Sequence, residues 1–316
     1  MKQQQFEDLY RPAWDALDAM LAAERIEPES DFPRQYRALC HHLAVAKSRR
    51  YSRSLIDYLN ERVLACHRLL YRDGSAGSRG GLRYLLRGFP QALRRNQNYV
   101  AVSAALFLLP LFFMAVACYL NSELIYSLMD PANVRHFEYI YSSDAEVLGR
   151  ERGSDTDIAM FGFYINNNIG IGFRTFASGI FFGIGSVFFL IFNGLSIGGV
   201  AGHLTQIGAT DTFFTFVVGH GALELSAIVF CGAAGLKLGF SLLDPGPLRR
   251  MEALKQAARD AVVIVYGAAV LLFLAAFVEA FWSSMTAPPE IKYSVGAGIA
   301  LALALYLTLA GRSRAT

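Results

Sequence analysis

The chain has 316 residues, of which 54% are hydrophobic and 17% are charged. That composition is too apolar for an ordinary soluble domain and is typical of a multi-span membrane protein with one soluble part. The net charge of +3 gives no reason to expect a nucleic-acid partner, and four scattered cysteines without a CxxC pair predict neither a disulfide nor a zinc framework.

Residues 1–72 predict a cytoplasmic bundle of three amphipathic helices. The stretch FEDLYRPAWDALDAMLAAE places Leu9, Trp14 and Leu17 on one apolar face, and FPRQYRALCHHLAVAKSRRY and RSLIDYLNERVLACHRLLYR repeat the spacing. The histidines of this region are His41, His42 and His67. We favour ordinary polar surface over metal ligation for them, because neighbours on a helix point about 100° apart.

Residues 73–98 predict a linker followed by a juxtamembrane helix. DGSAGSRGG is flexible by composition, whereas LRYLLRGFPQALRRNQN alternates apolar residues with arginines. Such a basic amphipathic helix is expected at the anionic cytoplasmic surface of the bilayer, with a fourth bundle helix as the alternative. The arginines assigned to the membrane surface are Arg83, Arg87, Arg94 and Arg95.

Residues 99–316 predict a transmembrane domain of about five to six segments. The first span, 99–120, is uncharged and long enough to cross a hydrocarbon core of roughly 30 Å. The arginines before it indicate that the N-terminal domain is cytoplasmic. Four further spans are predicted at 175–202, 212–236, 261–281 and 293–310.

The charges of the later loops conflict with a simple count of these spans. The basic loop 237–260 and the GRSRAT tail should be cytoplasmic, yet three crossings would put that loop outside. The Asn-rich run 158–173 is short and indicates an interfacial helix. Either this run crosses after all, or the glycine-rich segment 194–220 is re-entrant. We favour an even number of crossings with both termini cytoplasmic.

The segment 157–243 predicts a tightly packed membrane core with a polar centre. It contains polar side chains that a bilayer should reject, namely Asn166, Asn167, Asn168, Asn193, His220 and Glu224. Such groups normally face a bundle interior or a wet cavity. Glycines spaced for close helix contact accompany them: Gly179, Gly183, Gly194, Gly198 and Gly202. These stripes also predict a homodimer or larger homo-oligomer.

His220 and Glu224 share one helix face, because they stand four residues apart. Three interpretations are open: a structural hydrogen bond or ion pair, a metal site with His203 as a third ligand, and a proton-handling pair. A zinc hydrolase normally needs three protein ligands and an open position, and the HExxH pattern is absent. We therefore predict no metal, cofactor or catalytic residue.

The structural interpretation makes the His220–Glu224 pair a lock between the third span and the Asn-rich segment. Asn166 or Asn193 is available to complete its hydrogen bonds. Glu279, near the end of the fourth span, is expected at the membrane interface and solvated.

Three stretches of the core resemble the stage II sporulation protein M family of bacterial integral membrane proteins: FYINNNIGIGF, GIFFGIGSVFFLIFNGLSIGGV and GHGALELSAIVFCGAAGLKLG. The N-terminal YLNERVLACHRLLYR resembles the cytoplasmic extension of versions from non-sporulating bacteria. The resemblance implies an all-α, polytopic protein of the bacterial inner membrane that acts as a scaffold and not as an enzyme.

The resemblance also implies partners besides the lipid bilayer. Family members in spore formers hold cell-wall enzymes, and those elsewhere are often encoded beside a MoxR-type AAA+ ATPase and von Willebrand factor A-domain proteins. The long N-terminal domain favours the second context. Two other functions stay open: a transporter or channel with a polar Asn/His/Glu path, and an intramembrane metal-dependent hydrolase at His220 and Glu224.

Overall fold

A computed structural model describes residues 2–22, 31–72, 81, 84–142 and 157–312. These residues form helices, turns and connecting segments with no strand among them, which confirms the predicted all-α fold. The chain divides into two compact units, Met1–Arg83 and Tyr84–Thr316. Most of the predicted linker, Arg83 and residues 143–156 lie outside the described residues.

The first unit contains α1 (Gln3–Ala22), α2 (Phe32–Ser48) and α3 (Arg53–Arg72). The three helices bury one apolar cluster that includes Trp14 and Leu17. Trp14 Nε1 donates to Nδ1 of His42 at 3.1 Å, so this histidine is buried and does not belong to the polar surface that we expected. Leu9 is 58% exposed, in contrast to its predicted place on the packed face.

The second unit contains nine α-helices within the described residues: α4 (Phe89–Arg95), α5 (Gln97–Leu120), α6 (Pro131–Ile140), α7 (Asp157–Ala177), α8 (Ile184–Gln206), α9 (Thr210–Val217), α10 (Gly221–Leu243), α11 (Arg250–Val278) and α12 (Pro289–Leu309). A π-helical turn, Glu279–Ser283, extends α11. Five of these helices, namely α5, α8, α10, α11 and α12, are long and apolar enough to cross a membrane.

Two predicted spans are interrupted by breaks in the helical path. The span predicted at 175–202 starts at Ile184, because Phe182 and Gly183 have φ angles of 54° and 84° and end the preceding helical path. The span predicted at 212–236 is divided into α9 and α10 by a turn at 218–220. His220 therefore stands at the cap of α10 instead of inside a continuous helix.

A glycine seam joins α5 to α8 with backbone against backbone. Gly194 lies on the carbonyl oxygen of Phe107, Gly198 on that of Leu111, and Gly202 on that of Ala115. A Cβ atom at any of the three glycines would collide with the facing main chain. Because the residue numbers rise together on both helices, α5 and α8 run parallel.

A second seam joins the end of α7 and the following turn to α10. Gly179 lies against the main chain of Gly235, and Gly239 lies against the main chain of Gly183. The numbers again rise together, so this part of the chain runs parallel to α10. Ser186 Oγ donates to the carbonyl oxygen of Thr175 at 2.6 Å and fixes the turn between α7 and α8.

The remaining contacts set the directions of the other helices. Ser103 Oγ on α5 donates to the carbonyl oxygen of Val229 on α10 at 2.7 Å, and Tyr99 packs on Phe240 farther along, so these two helices are antiparallel. Paired positions also run in opposite senses between α11 and both α7 and α10. After the short segment 284–288, α12 returns antiparallel to α11. Consequently α5, α8 and α11 point one way, whereas α7, α10 and α12 point the other.

Gly198→Ala should destabilise the second unit. Its new methyl group meets the Leu111 carbonyl and must push α5 and α8 apart, which typically costs about 1–3 kcal/mol. The thermal unfolding of purified full-length protein measures the effect. Gly298→Ala on α12 is the matched control, because no atom lies within 4 Å of its new Cβ atom. Equal melting temperatures for the two variants would contradict the seam.

Candidate functional site

The turn between α9 and α10 buries a histidine in the second unit. His220 is 4% exposed, and its ring meets the ring of Phe216 edge-on at 5.4 Å. Gly219 lets the turn approach Trp282 closely, since a Cβ atom there would come within 3.1 Å of the indole. The break in the helix therefore directs His220 towards the end of α11.

Two glutamates meet this histidine. Ligand-type atoms of His220, Glu224 and Glu279 all lie within 4.8 Å of one another, and His220 Nε2 is 3.8 Å from Glu224 Oε2. His220 and Glu224 therefore lie side by side, and the structural lock between them stays a prediction. Glu279 is not solvated at the interface as we expected, because the π-helical turn at the end of α11 brings it into the cluster.

Hydrogen bonds connect this polar cluster to neighbouring helices. His220 Nδ1 is 2.9 Å from Ser283 Oγ, and Asn168 Nδ2 of α7 donates to Glu279 Oε2 at 3.3 Å. Lys292, which is 2% exposed, donates from Nζ to the carbonyl oxygen of Ser283 at 2.9 Å. The link to the Asn-rich segment therefore runs through Asn168 and Glu279.

Of the other predicted polar residues, only Asn167 is connected to the cluster, because its Nδ2 donates to Asn168 Oδ1 at 3.0 Å. Asn166 and Asn167 are exposed on α7, and Asn193 Nδ2 donates to the Phe189 carbonyl oxygen of its own helix. His203 Nε2 lies 2.8 Å from Glu138 Oε1 in a separate pair, so it is not the third ligand that we considered. No sequence pattern could assign Glu279 to the cluster, because it stands 55 positions after Glu224 and no helical spacing relates residues so far apart.

The described part of the segment between α5 and α7 ends beside the cluster. Tyr141 follows α6, packs on Phe213 and Phe216, and is 7% exposed. Burial raises the pKa of Tyr141, and the nearby Glu279 carboxyl adds to the increase. The phenol therefore stays protonated and neutral.

The arginines predicted to lie on the membrane surface have different surroundings. Arg94 donates to the carbonyl oxygens of Leu307 and Ala310 at 2.6 Å each, at the end of α12, and Arg95 forms an ion pair with Asp260 at 3.0 Å. Arg87 is exposed. Two of these side chains therefore bind the protein itself.

An apolar groove of about 600 Å³ lies away from the cluster, where α5, α8 and α10 meet. Its lining includes Val102, Ile184 and Phe240. The groove and the polar cluster are therefore separate features.

The cluster combines side chains that can hold a cation or a proton. Its Ser283, His220 and Glu224 also have the residue types of a hydrolytic triad. The 3.8 Å between histidine and carboxylate is too long for a hydrogen bond, and Ser283 is only 1% exposed. A nucleophilic role for this serine is therefore unsupported.

Comparisons with known proteins agree with this architecture. The family model of stage II sporulation protein M matches residues 103–284, and that of a domain of unknown function matches residues 4–72. An uncharacterized protein of Methanocaldococcus jannaschii is 26% identical over 122 residues, which are 37% of this chain and 67% of that protein. No solved structure matches the chain. Because the first match covers more than half of its length, the chain belongs to the stage II sporulation protein M family.

Proposed function

We propose that the protein is a non-enzymatic scaffold that organises partner proteins at the bacterial inner membrane. The observation that carries this proposal is the pair of glycine seams. Where two main chains touch, no layer of side chains separates the helices, so they cannot easily slide past each other. The second unit is therefore suited to holding a fixed shape. Family membership supports the same role.

The transporter alternative gains less support from these contacts. Alternating access requires one group of helices to rock against another around a central site. Here the polar cluster is covered by Tyr141 on one side, and the groove at α5, α8 and α10 is apolar.

Six crossings fit the helix directions better than five. Parallel α5 and α8 can both cross only if the chain returns between them, and α7 is the long helix available for that return. Its 21 residues extend about 31 Å, close to the thickness of a hydrocarbon core. Of the two alternatives that the sequence left open, we therefore choose a crossing at 158–173 and not a re-entrant segment at 194–220.

The distribution of charge orients the six helices. The end where α5, α8 and α11 begin carries the basic residues Arg94, Arg95, Arg174, Lys237, Arg249, Arg250, Lys255, Arg259 and Arg312. The opposite end carries the acidic residues Glu123, Asp130, Glu138, Asp157, Asp211 and Glu290. The described charges of the other sign are fewer: Arg135 and Lys292 at this end, and Asp244, Glu252 and Asp260 at the first. By the positive-inside rule the first end is cytoplasmic, together with the N-terminal unit and the C-terminus.

The N-terminal unit is the proposed docking site for cytoplasmic partners. Its α1 presents Leu9 to solvent beside the exposed Ala13 and Ala16. This cytoplasmic position favours a MoxR-type AAA+ ATPase or von Willebrand factor A-domain proteins over cell-wall enzymes, which work on the other side of the membrane.

The proposed homodimer needs a surface other than the glycines that suggested it. All five of those glycines are buried within one chain. The outward face of α7 carries Gly162, Asn166 and Gly170 at four-residue spacing, and no atom lies within 4 Å of a Cβ placed at Gly162. An asparagine can donate to and accept from its own copy across a two-fold axis.

Cysteine labelling tests the six-crossing orientation. Cells carrying one added cysteine in a Cys40→Ser background, which keeps the buried Cys66, Cys118 and Cys231, are treated with a membrane-impermeant maleimide. Asp130→Cys and Thr286→Cys should be labelled, whereas Asp57→Cys and Leu248→Cys should be protected until the membrane is opened. Burial keeps native Cys66 slow to react, because it raises the thiol pKa to about 11. Labelling of Leu248→Cys in intact cells would contradict six crossings.

Affinity purification from native membranes tests the docking role. The full chain should recover its partners, and a chain lacking residues 1–72 should lose them. Leu9→Arg should reduce recovery about tenfold, as expected for a charge placed in an apolar contact, whereas Asp57→Asn on α3 should not. Mass spectrometry identifies the proteins. Undiminished recovery by the shortened chain would refute docking at this unit.

Native mass spectrometry of protein in nanodiscs tests the homodimer. The wild type should give the mass of two chains, and Asn166→Leu should shift it towards one. Asn193→Leu is the control, because that amide is satisfied within α8. A single-chain mass for the wild type over a wide concentration range would exclude the dimer.

A further inference from the structure

We propose that His220, Glu224 and Glu279 bind one divalent transition-metal cation of the Zn²⁺ or Mn²⁺ type. This site is independent of the scaffold role, since it depends only on contacts inside the second unit. The argument rests on the spacing of the donor atoms, the orientation of the histidine and the balance of charge.

The donor atoms are already close to ligand spacing. One nitrogen and two carboxylate oxygens lie within 4.8 Å of one another, and the His220 Nε2–Glu224 Oε2 distance is 3.8 Å. Two ligands bound at about 2.1 Å in a tetrahedral site stand roughly 3.4 Å apart. Small side-chain rotations therefore suffice to surround an ion.

The histidine is oriented as in metal sites. A metal-binding imidazole usually donates its second N–H to an oxygen, which fixes the ring and leaves the other nitrogen free for the ion. Here Nδ1 faces Ser283 Oγ at 2.9 Å. Nε2 makes no hydrogen bond with the described residues and lies 3.8 Å from Glu224 Oε2, in a residue that is only 4% exposed.

The charges of the cluster call for a cation. Among the described residues, no lysine or arginine forms an ion pair with Glu224 or Glu279. The charged-group partner of Glu224 there is His220. Buried Lys292 donates to the main-chain carbonyl of Ser283. Two ionised carboxylates are costly together in a low dielectric, and one divalent ion would neutralise both.

The protein also holds Glu279 in a position suited to ligation. Asn168 donates to one of its oxygens, Oε2, which leaves the second oxygen available. Three protein ligands leave a fourth position open in a tetrahedral site. A ligand set of one imidazole and two carboxylates suits Zn²⁺ or Mn²⁺.

A second histidine–glutamate pair in the same unit provides the matched control. His203 Nε2 and Glu138 Oε1 are 2.8 Å apart, but they belong to no group of three potential ligands among the described residues. A nonspecific affinity for buried histidine and glutamate would involve this pair too, whereas the proposed site would not.

Elemental analysis of the full-length protein tests the site. Protein in nanodiscs is stripped with a chelator, incubated with ZnCl₂ or MnCl₂ and desalted. The wild type and Glu138→Gln should each retain about one ion per chain, and the ion should raise their melting temperatures. Glu279→Gln and Glu224→Gln should bind at least tenfold more weakly. Ser283→Ala, which only frees the ring of His220, should weaken binding about 10–100-fold.

Three metal contents would overturn the proposal: substoichiometric metal in the wild type, full retention of metal by Glu279→Gln, or a loss from Glu138→Gln as large as that from Glu279→Gln. A melting temperature that depends on pH but not on either metal would also overturn it, because the carboxylates would then share a proton instead of an ion. If Glu279→Gln fails to fold, Ser283→Ala decides, since its ligand set is intact. Metal binding without partner capture would refute docking and leave this site standing.

Discussion

Contact between the main chains of α5 and α8 is the constraint on which the second unit depends. Three glycines at four-residue spacing let the two helices meet without side chains between them. The helices joined in this way are parallel. Parallel neighbours cannot be joined by a short turn, so the intervening chain must cover their full length. In this protein α7 does so, and it thereby carries Asn168 to the end of α11.

The polar cluster is a second consequence of helix geometry. A break before α10 and a π-helical turn after α11 place His220 and Glu279 together, although each belongs to a different part of the chain. Both irregularities are costly in a bilayer unless the freed polar groups find partners inside the protein. Ser283 helps to meet that need through the hydrogen bond between its hydroxyl group and His220. Lys292 does so by donating to the main-chain carbonyl oxygen of Ser283.

Sequence patterns predicted the helices better than their irregularities. Long apolar runs gave the five spans, since length and hydrophobicity determine whether a helix can cross. Glycine spacing indicated close packing, but the facing residues on α5 carry no comparable signal. The positive φ angles at Phe182 and Gly183 and the turn before His220 arise from tertiary contacts, so the spans there began at other residues than expected. Neighbouring asparagines point about 100° apart, and composition alone could not tell which of three would face inward.

The contact between Arg94 and the end of α12 has a consequence for biogenesis. The guanidinium caps the carbonyl oxygens of Leu307 and Ala310, and Phe89 of the same short helix packs against Gly267 and Tyr306. During synthesis, the ribosome makes α4 before α5 and makes its partners at the end of α12 after the other described helices of the second unit. The amphipathic helix must therefore wait beside the membrane until α12 has been made, and its burial marks a second unit whose described helices have come together.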